Sequence, residues 1–336
     1  MTQHTSKLTI TLLLFSMYFL TAQSAASQSP DVVHIGSQTW MTENLDVDHF
    51  RNGDPIPQAK TIEDWQNAYE NQEPAWGYYE NDPANGEKYG KLYNRYAVED
   101  ARGLAPEGWH IPSMTEWDIF DQILDIGPFS SGSLRDSAWW NDGSNGGKAG
   151  TSRFEDKGRF GYWWSTSEFR DRGLSSYTNN PRGLVSYSYG TSEGKSVRLV
   201  KDYSIEDYAQ RDGAVQTSSG LLYRVIEEGS GGNPSPNSTV HVVYTGFLAD
   251  GTVFDSSDRS DDPATFSLEQ VIPGLAEGIQ LMRGAEGMQL LGGSIYEFFI
   301  PAELAFGDHG GIGNSPIKPG SDLLFYIELV RFSTPR

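Results

Sequence analysis

The residue pattern of this 336-residue chain changes character once, near residue 220. All nine tryptophans lie before that point, in a block from 31 to 202 that is rich in Tyr, Gly, Asn and Ser and sparse in helical periodicity. After it come short runs with strand character, at 222–226, 240–244, 295–300 and 323–332. Turn signals separate them: Glu228-Gly229, Asn233-Pro234, Asp250-Gly251 and Pro319-Gly320. The polar stretch 203–217, with Ile205 and Tyr208 as its apolar positions, reads as a linker or short helix. The length suits two domains, each large enough to bury a core. The expected class is α+β, with one domain over 31–202 and another over 218–336. The composition shift predicts that a protease cuts within 203–217 and releases two folded pieces.

Hydrophobic residues make up 37% of the chain and aromatics 12%, which excludes a wholly disordered chain. A net charge of −20 argues against nucleic-acid binding, which needs a basic face. There are no cysteines, which excludes disulfides, thiolate catalysis, Cys-ligated zinc and a lipid-modified N-terminal Cys. Residues 1–26 read as a signal peptide: Lys7, an apolar run over 8–20, then a small, polar stretch suited to cleavage. The run is about 13 residues, whereas a spanning helix needs about 20. No other stretch is long enough to span a bilayer. The mature protein is expected to be soluble, in the periplasm, at the cell surface or secreted.

Ser113 with Glu116 three residues on forms a capping box, and Trp117, Phe120, Ile123 and Leu124 supply an apolar face through about Leu124. A second helix is predicted over 62–69, and a long loop over 141–150. His110 has no cluster of metal-ligand spacing around it and reads as a hydrogen-bonded structural histidine. The glycine-rich run 143–150 lacks a following Gly-Lys-Ser/Thr and is no phosphate cradle. The block's aromatics can form a core or a carbohydrate-binding surface; a core is the expectation.

In the second block Tyr244, Phe254, Phe266, Val271, Ile272, Phe306 and Phe325 come from separate segments. Each could simply be core. Asp255 is the odd member, because an unpaired charge beside Phe254 would be costly. Together they describe a hydrophobic cup with one polar wall, suited to a proline ring.

Four ordered segments carry a specific likeness: VHVVYTGFLADGTVFDSS (240–257), VIPGL (271–275), PAELAFGD (301–308) and DLLFYIELV (322–330). They resemble the FKBP-type peptidyl-prolyl cis-trans isomerases. The resemblance implies a bent antiparallel half-barrel around a short helix, with the pocket between them. It assigns Tyr244, Phe254, Asp255, Val271, Ile272, Phe306 and Phe325 to the catalytic pocket, and Phe266 and Leu275 to substrate contact. Leu275 stands where many members have a Trp floor, Phe306 where many have a Tyr whose hydroxyl bonds a ligand carbonyl, and Ala264 where some have an aromatic. A shallower floor and one missing hydrogen bond are expected. The implied substrates are proline-containing polypeptides, the Ile272 N–H is expected to bond a substrate carbonyl, and no metal or cofactor is implied. A non-catalytic peptide-docking or chaperone role is the alternative.

The first block has its own likeness, in VVHIGSQTWMTENLDV (32–47), YGKLYNRYAVEDARGLAPEGWHIPSMTEWDIF (89–120), GYWWSTSE (161–168) and SVRLVKD (196–202). These resemble the Fibrobacter succinogenes major paralogous domain, a family distantly similar to the C-type-lectin-like fold. Many members have Cys where this chain has Ala105 and Leu199, which implies a disulfide-free version of one core. The family carries no chemistry over; a protein, surface polymer or carbohydrate is the implied partner. Trp140-Asn141-Asp142 resembles a lectin calcium and sugar motif, but its place in mid-domain makes it a coincidence. Carbohydrate binding at a surface is the third function carried.

Residues 276–284 (AEGIQLMRG) are followed at once by a near copy, 285–293 (AEGMQLLGG). Nine residues rotate a helix by about two and a half turns, so one continuous helix would point the two apolar faces in opposite directions. A break is predicted near Gly284, with the first copy as the pocket helix and the second as an extra turn or loop at the pocket rim.

Overall fold

The structure is a computed structural model and describes residues 31–35, 38–126, 148–149, 154–155, 160–169, 172–179, 184–187, 193–257, 263–286 and 293–335. The signal segment, Trp140-Asn141-Asp142 and most of the glycine-rich run lie outside the described residues. Among the described residues, no helix is long and apolar enough to cross a membrane.

The first block begins with a hairpin, β1 (Val32–Ile35) and β2 (Gln38–Met41). Helix α1 (Ile62–Asn71) follows, its first turn capped by Thr61 Oγ1, which accepts from the Asp64 N–H at 3.1 Å. Strand β3 (Trp109–His110) leads to α2 (Met114–Ile126). The capping box forms reciprocally: the Glu116 N–H donates to Ser113 Oγ at 3.2 Å, and the Ser113 N–H to Glu116 Oε2 at 2.8 Å. Strand β4 (Val200–Lys201) closes the sheet in the order β1-β2-β4-β3. Trp40, Trp65, Trp76, Trp117, Trp163 and Trp164 are all buried, so most of the aromatic wealth is core. Trp40 meets Trp117 at 4.5 Å and Phe120 at 4.9 Å between ring centroids. Ala105 and Leu199 sit in one buried cluster.

The second block is an eight-stranded sheet. After helix α3 (Ile205–Ala209) come β5 (Val215–Gln216), β6 (Leu222–Glu227), β7 (Thr239–Phe247), β8 (Val253–Ser256) and β9 (Ala264–Ser267). Helix α4 (Pro273–Leu281), β10 (Ala285–Glu286), β11 (Ile295–Ile300) and β12 (Leu323–Ser333) complete it. The strand order is β5-β6-β11-β12-β7-β8, with β9 on β7 and β10 on β12. Helix α4 packs on one face through Leu275 and Ile279. It lies so close that a Cβ at Gly278 would stand 2.6 Å from the Phe298 ring, which explains a glycine inside a helix.

The other face of this sheet is apolar too. Along β12, Leu323, Phe325, Ile327 and Leu329 join the cluster beneath α4, while Leu324 and the partly buried Tyr326 join a different one. Along β11, Phe298 and Ile300 point to α4 and Phe299 to the opposite side. That second cluster holds Leu222, Phe247, Phe299 and Leu324 together with Trp40, Trp117, Phe120 and Trp163 of the first block. The two blocks therefore share a core. The stretch 203–217 carries α3 and buries Tyr203 and Tyr208 in that core. The Tyr208 ring meets Phe299 at 5.7 Å, and its hydroxyl donates to the Glu297 carbonyl at 3.3 Å. Composition predicts two pieces that fold independently; in the described residues the two pack against one another.

The tandem copy breaks as its rotation requires. Helix α4 ends at Leu281, within the first copy, and Ala285 and Glu286 pair in parallel with Arg331 and Phe332 of β12. The start of the second copy thus lies at the far end of β12 from Phe325, not at the pocket rim. The helix falls in the first copy because Pro273 at its first turn is joined to the pocket segment.

Candidate functional site

The nine residues read from the sequence converge. Strand β7 supplies Tyr244, β8 Phe254 and Asp255, β9 Phe266 and β12 Phe325. Val271 and Ile272 lead into α4, which supplies Leu275, and Phe306 comes from the segment after β11. Tyr244, Leu275 and Phe325 are buried, and Phe254, Phe266, Val271, Ile272 and Phe306 pack half-buried on the same cluster. The rings meet edge-on: Phe254 to Phe325 at 5.5 Å and 82°, Tyr244 to Phe266 at 5.5 Å and 66°.

Register explains the convergence. Gly246 faces Asp255 on one side of β7 and Phe325 on the other. A Cβ there would stand 2.5 Å from Phe254 Cζ, so the missing side chain is the space the Phe254 ring occupies. Ile272 caps α4, accepting from the N–H groups of Leu275 at 3.1 Å and Ala276 at 3.0 Å. The Ile272 N–H itself donates to no backbone group among the described residues. Asp255 has partners: the Tyr244 hydroxyl donates to Oδ2 at 2.6 Å and the Ser256 N–H to Oδ1 at 2.9 Å. Burial, then the bond to Asp255, pushes the Tyr244 phenol well above its ordinary pKa, so it stays a donor. Beyond the cup, Ile312 is 92% exposed.

A second constellation sits where the blocks meet. His110 lies between two carboxylates, with Nδ1 at 2.8 Å from Asp202 Oδ1 and Nε2 at 2.8 Å from Glu116 Oε1. Burial opposes its charge, but the Glu116 charge and the hydrogen bonds to Asp202 and Glu116 outweigh it and raise its pKa to about 9. Glu116 is fully buried and also accepts from the Tyr203 hydroxyl at 2.9 Å. The structural reading of His110 fits this geometry. Asp202 and Tyr203 lie about 90 residues from His110 in sequence, so no local pattern announces that they meet it. A partial signal is the start of the run DLLFYIELV, where Leu324 and Tyr326 alternate with Leu323 and Phe325, so that both faces call for a cover there. Beside His110 is a cleft of about 490 Å³ lined by Arg51, Trp109, Thr166, Asp250 and Val253 among others. Val253 faces that cleft and its neighbour Phe254 faces the cup, so β8 is a wall between them.

The family model of the Fibrobacter succinogenes major domain matches residues 33–201, half of the chain, and that of FKBP-type peptidyl-prolyl cis-trans isomerase matches residues 231–330. The chain belongs to the Fibrobacter succinogenes major domain family and carries an FKBP-type domain. The FKBP-type domain is similar to "Outer membrane protein MIP" of Legionella longbeachae, 45% identical over 120 residues, which cover 36% of this chain and 47% of that protein. It is 43% identical over 127 residues to the FKBP-type peptidyl-prolyl cis-trans isomerase FkpA of Aeromonas hydrophila, covering 38% of this chain and 43% of the relative. The crystal structure of FkpA from Escherichia coli aligns at 37% identity with a TM-score of 0.34, over 38% of this chain and 55% of that one. The chain thus spans about half the length of the curated relatives it matches. The cup lies inside the FKBP-type match, whereas His110, Glu116 and Tyr203 fall outside it.

Proposed function

We propose that the chain is an exported isomerase that accelerates cis/trans rotation of X–Pro bonds in folding polypeptides. The observation that carries this is the cup itself: apolar side chains from separate segments meeting around one hydrogen-bonded carboxylate, Asp255. The barrier to rotation is about 18–20 kcal/mol and arises from amide resonance. Twisting the bond removes resonance and shrinks the amide dipole. A water-poor cup therefore favours the twisted bond over the planar one, which is differential binding of the transition state. Tyr244, Phe254 and Phe325 surround the prolyl ring in this reading, Leu275 forms the floor, and the Ile272 N–H holds a substrate carbonyl. No nucleophile takes part.

The functional division is 31–202 and 218–336, with 203–217 between them. Export rests on the leader pattern of residues 1–26, and the first block, whose lectin-like fold is a distant analogy, is assigned to holding a client or partner. Peptide docking without catalysis is the second reading, favoured by Phe306, which offers no hydroxyl to a substrate carbonyl. A surface sugar site is the third reading and rests on the lectin-like analogy alone; six of the tryptophans are buried and serve as core. A protease-free assay of a Leu-Pro or Phe-Pro peptide with the full chain separates the readings. The uncatalysed step takes tens of seconds, so even weak catalysis is visible. No acceleration at micromolar protein would leave docking as the function.

A further inference from the structure

We infer that the first block, together with Tyr203 just after it, positions the isomerase cup by gripping the β7–β8 hairpin that carries Phe254 and Asp255. The inference rests on the isomerase reading above. Strand β8 has four residues, lies at the end of the sheet order and, among the described residues, pairs with β7 alone. An edge strand held on one side is the kind of element that opens locally at low cost. Its turn, residues 248–252, is closed by the Leu248 N–H to the Thr252 carbonyl at 2.9 Å and the Gly251 N–H to the Leu248 carbonyl at 3.0 Å.

Three contacts from outside the FKBP-type match fix that turn. The Tyr203 N–H donates to the Ala249 carbonyl at 2.7 Å. The Tyr203 ring packs on Phe247, the last residue of β7, at 6.3 Å. Gly251, with φ at +77°, lies against the His110 imidazole so closely that any Cβ would collide with Nε2. One carboxylate, Glu116, holds both gripping residues, through Nε2 of His110 and the hydroxyl of Tyr203. Asp202, next to Tyr203, holds the other imidazole nitrogen. Phe254 lies three residues past Gly251, so a displaced turn moves the cup wall. His110 and Tyr203 are positioning residues; neither lies in the cup cluster.

The grip depends on the imidazole proton. The charged and titratable groups around it are Glu116 from α2, Asp202 and Tyr203 from the stretch after β4, Asp250 of the turn, and Arg51 across the cleft. A neutral imidazole has one N–H, so one of its two carboxylate bonds is lost. Within the cup, the raised Tyr244 phenol keeps its proton over the same range.

The test uses the full chain, with kcat/KM for a Phe-Pro peptide measured from pH 7 to 10 and folding followed by circular dichroism. The wild-type value should fall at least threefold between pH 8 and 10 while the fold persists. Gly251→Ala should lower it at least threefold at pH 7 and flatten the profile. If Gly251→Ala does not fold, His110→Gln takes its place with the same expectation. If the wild type unfolds below pH 10, the comparison of variant with wild type at pH 7 decides. Catalysis at pH 7 with a flat wild-type profile, or with variant rates equal to wild type, overturns the grip and leaves the isomerase reading intact. No catalysis by the wild type at pH 7 removes the isomerase reading and this inference with it.

Discussion

Arg283 and Ser294, separated by the whole second copy of the repeat, are hydrogen-bonded neighbours. The Ser294 N–H donates to the Arg283 carbonyl at 3.0 Å, and the Arg283 N–H donates to Ser294 Oγ at 2.9 Å. The chain leaves after Arg283 and returns to the same place. Deleting residues 285–293 would leave Gly284 as a one-residue connection between them, a tight turn that glycine accepts. Gly284 also keeps its paired hydrogen bonds with Gly232. The deletion variant should fold, melt within a few degrees of the wild type and keep its isomerase rate. Loss of the cooperative melt would show that the second copy is structural.

Phe325 and Asp255 should respond differently to truncation. Phe325 is buried and meets both Tyr244 and Phe254, so Phe325→Ala opens a cavity under the cup. The expected cost is about 3–5 kcal/mol of stability, with loss of rate. Asp255 is exposed, and an Asn there can still accept from the Tyr244 hydroxyl. Asp255→Asn should therefore fold normally and lower the rate. Denaturant melts and peptide kinetics on both variants check this; an unchanged rate in Asp255→Asn would make that carboxylate purely structural.

The shared core predicts that residues 205–336 alone are poorly stable. Removing the first block uncovers Leu222, Phe247, Phe299 and Leu324, each buried in the whole chain. Burial of one such side chain stabilises by roughly 1.5–3 kcal/mol, so four approach the roughly 5–15 kcal/mol stability of a whole domain. The fragment should aggregate or melt far below the full chain. Limited proteolysis of the full chain should spare the bonds around Tyr203 and Tyr208. A soluble fragment with wild-type melting would mean that the joint contributes little.

Stability should fall in alkali because of His110. Its folded pKa of about 9 lies above its ordinary value of 6.5. The proton is therefore bound more tightly in the folded chain. The stabilisation is complete below about pH 6.5 and is lost as pH rises through about 9, on the order of 3 kcal/mol in total. Urea melts at pH 6 and pH 10 measure the difference, and His110→Gln should remove most of it. Equal midpoints for the wild type at both pH values would contradict the charged imidazole.

Local chemistry was legible in the sequence. The Ser113–Glu116 capping box and the proline at the start of α4 are set by residues within one helical turn of each other. The cup was legible through family likeness, since its members keep their spacing within separate strands. Its geometry comes from register, with Gly246 placing Asp255 and Phe325 on either side of β7.

What the sequence by itself determined is therefore the two blocks, the elements with strong local signals and the residues that make up the cup. The tertiary structure alone decided which sheet face each apolar residue serves and what covers it. Phe299 and Leu324 look the same in sequence as Phe298 and Phe325, yet they belong to different cores. Burial is non-directional, and an apolar side chain specifies that it will be covered but not by which partner. Likewise His110 specifies a hydrogen-bonding ring, but only the fold brings Asp202, Glu116 and Gly251 around it.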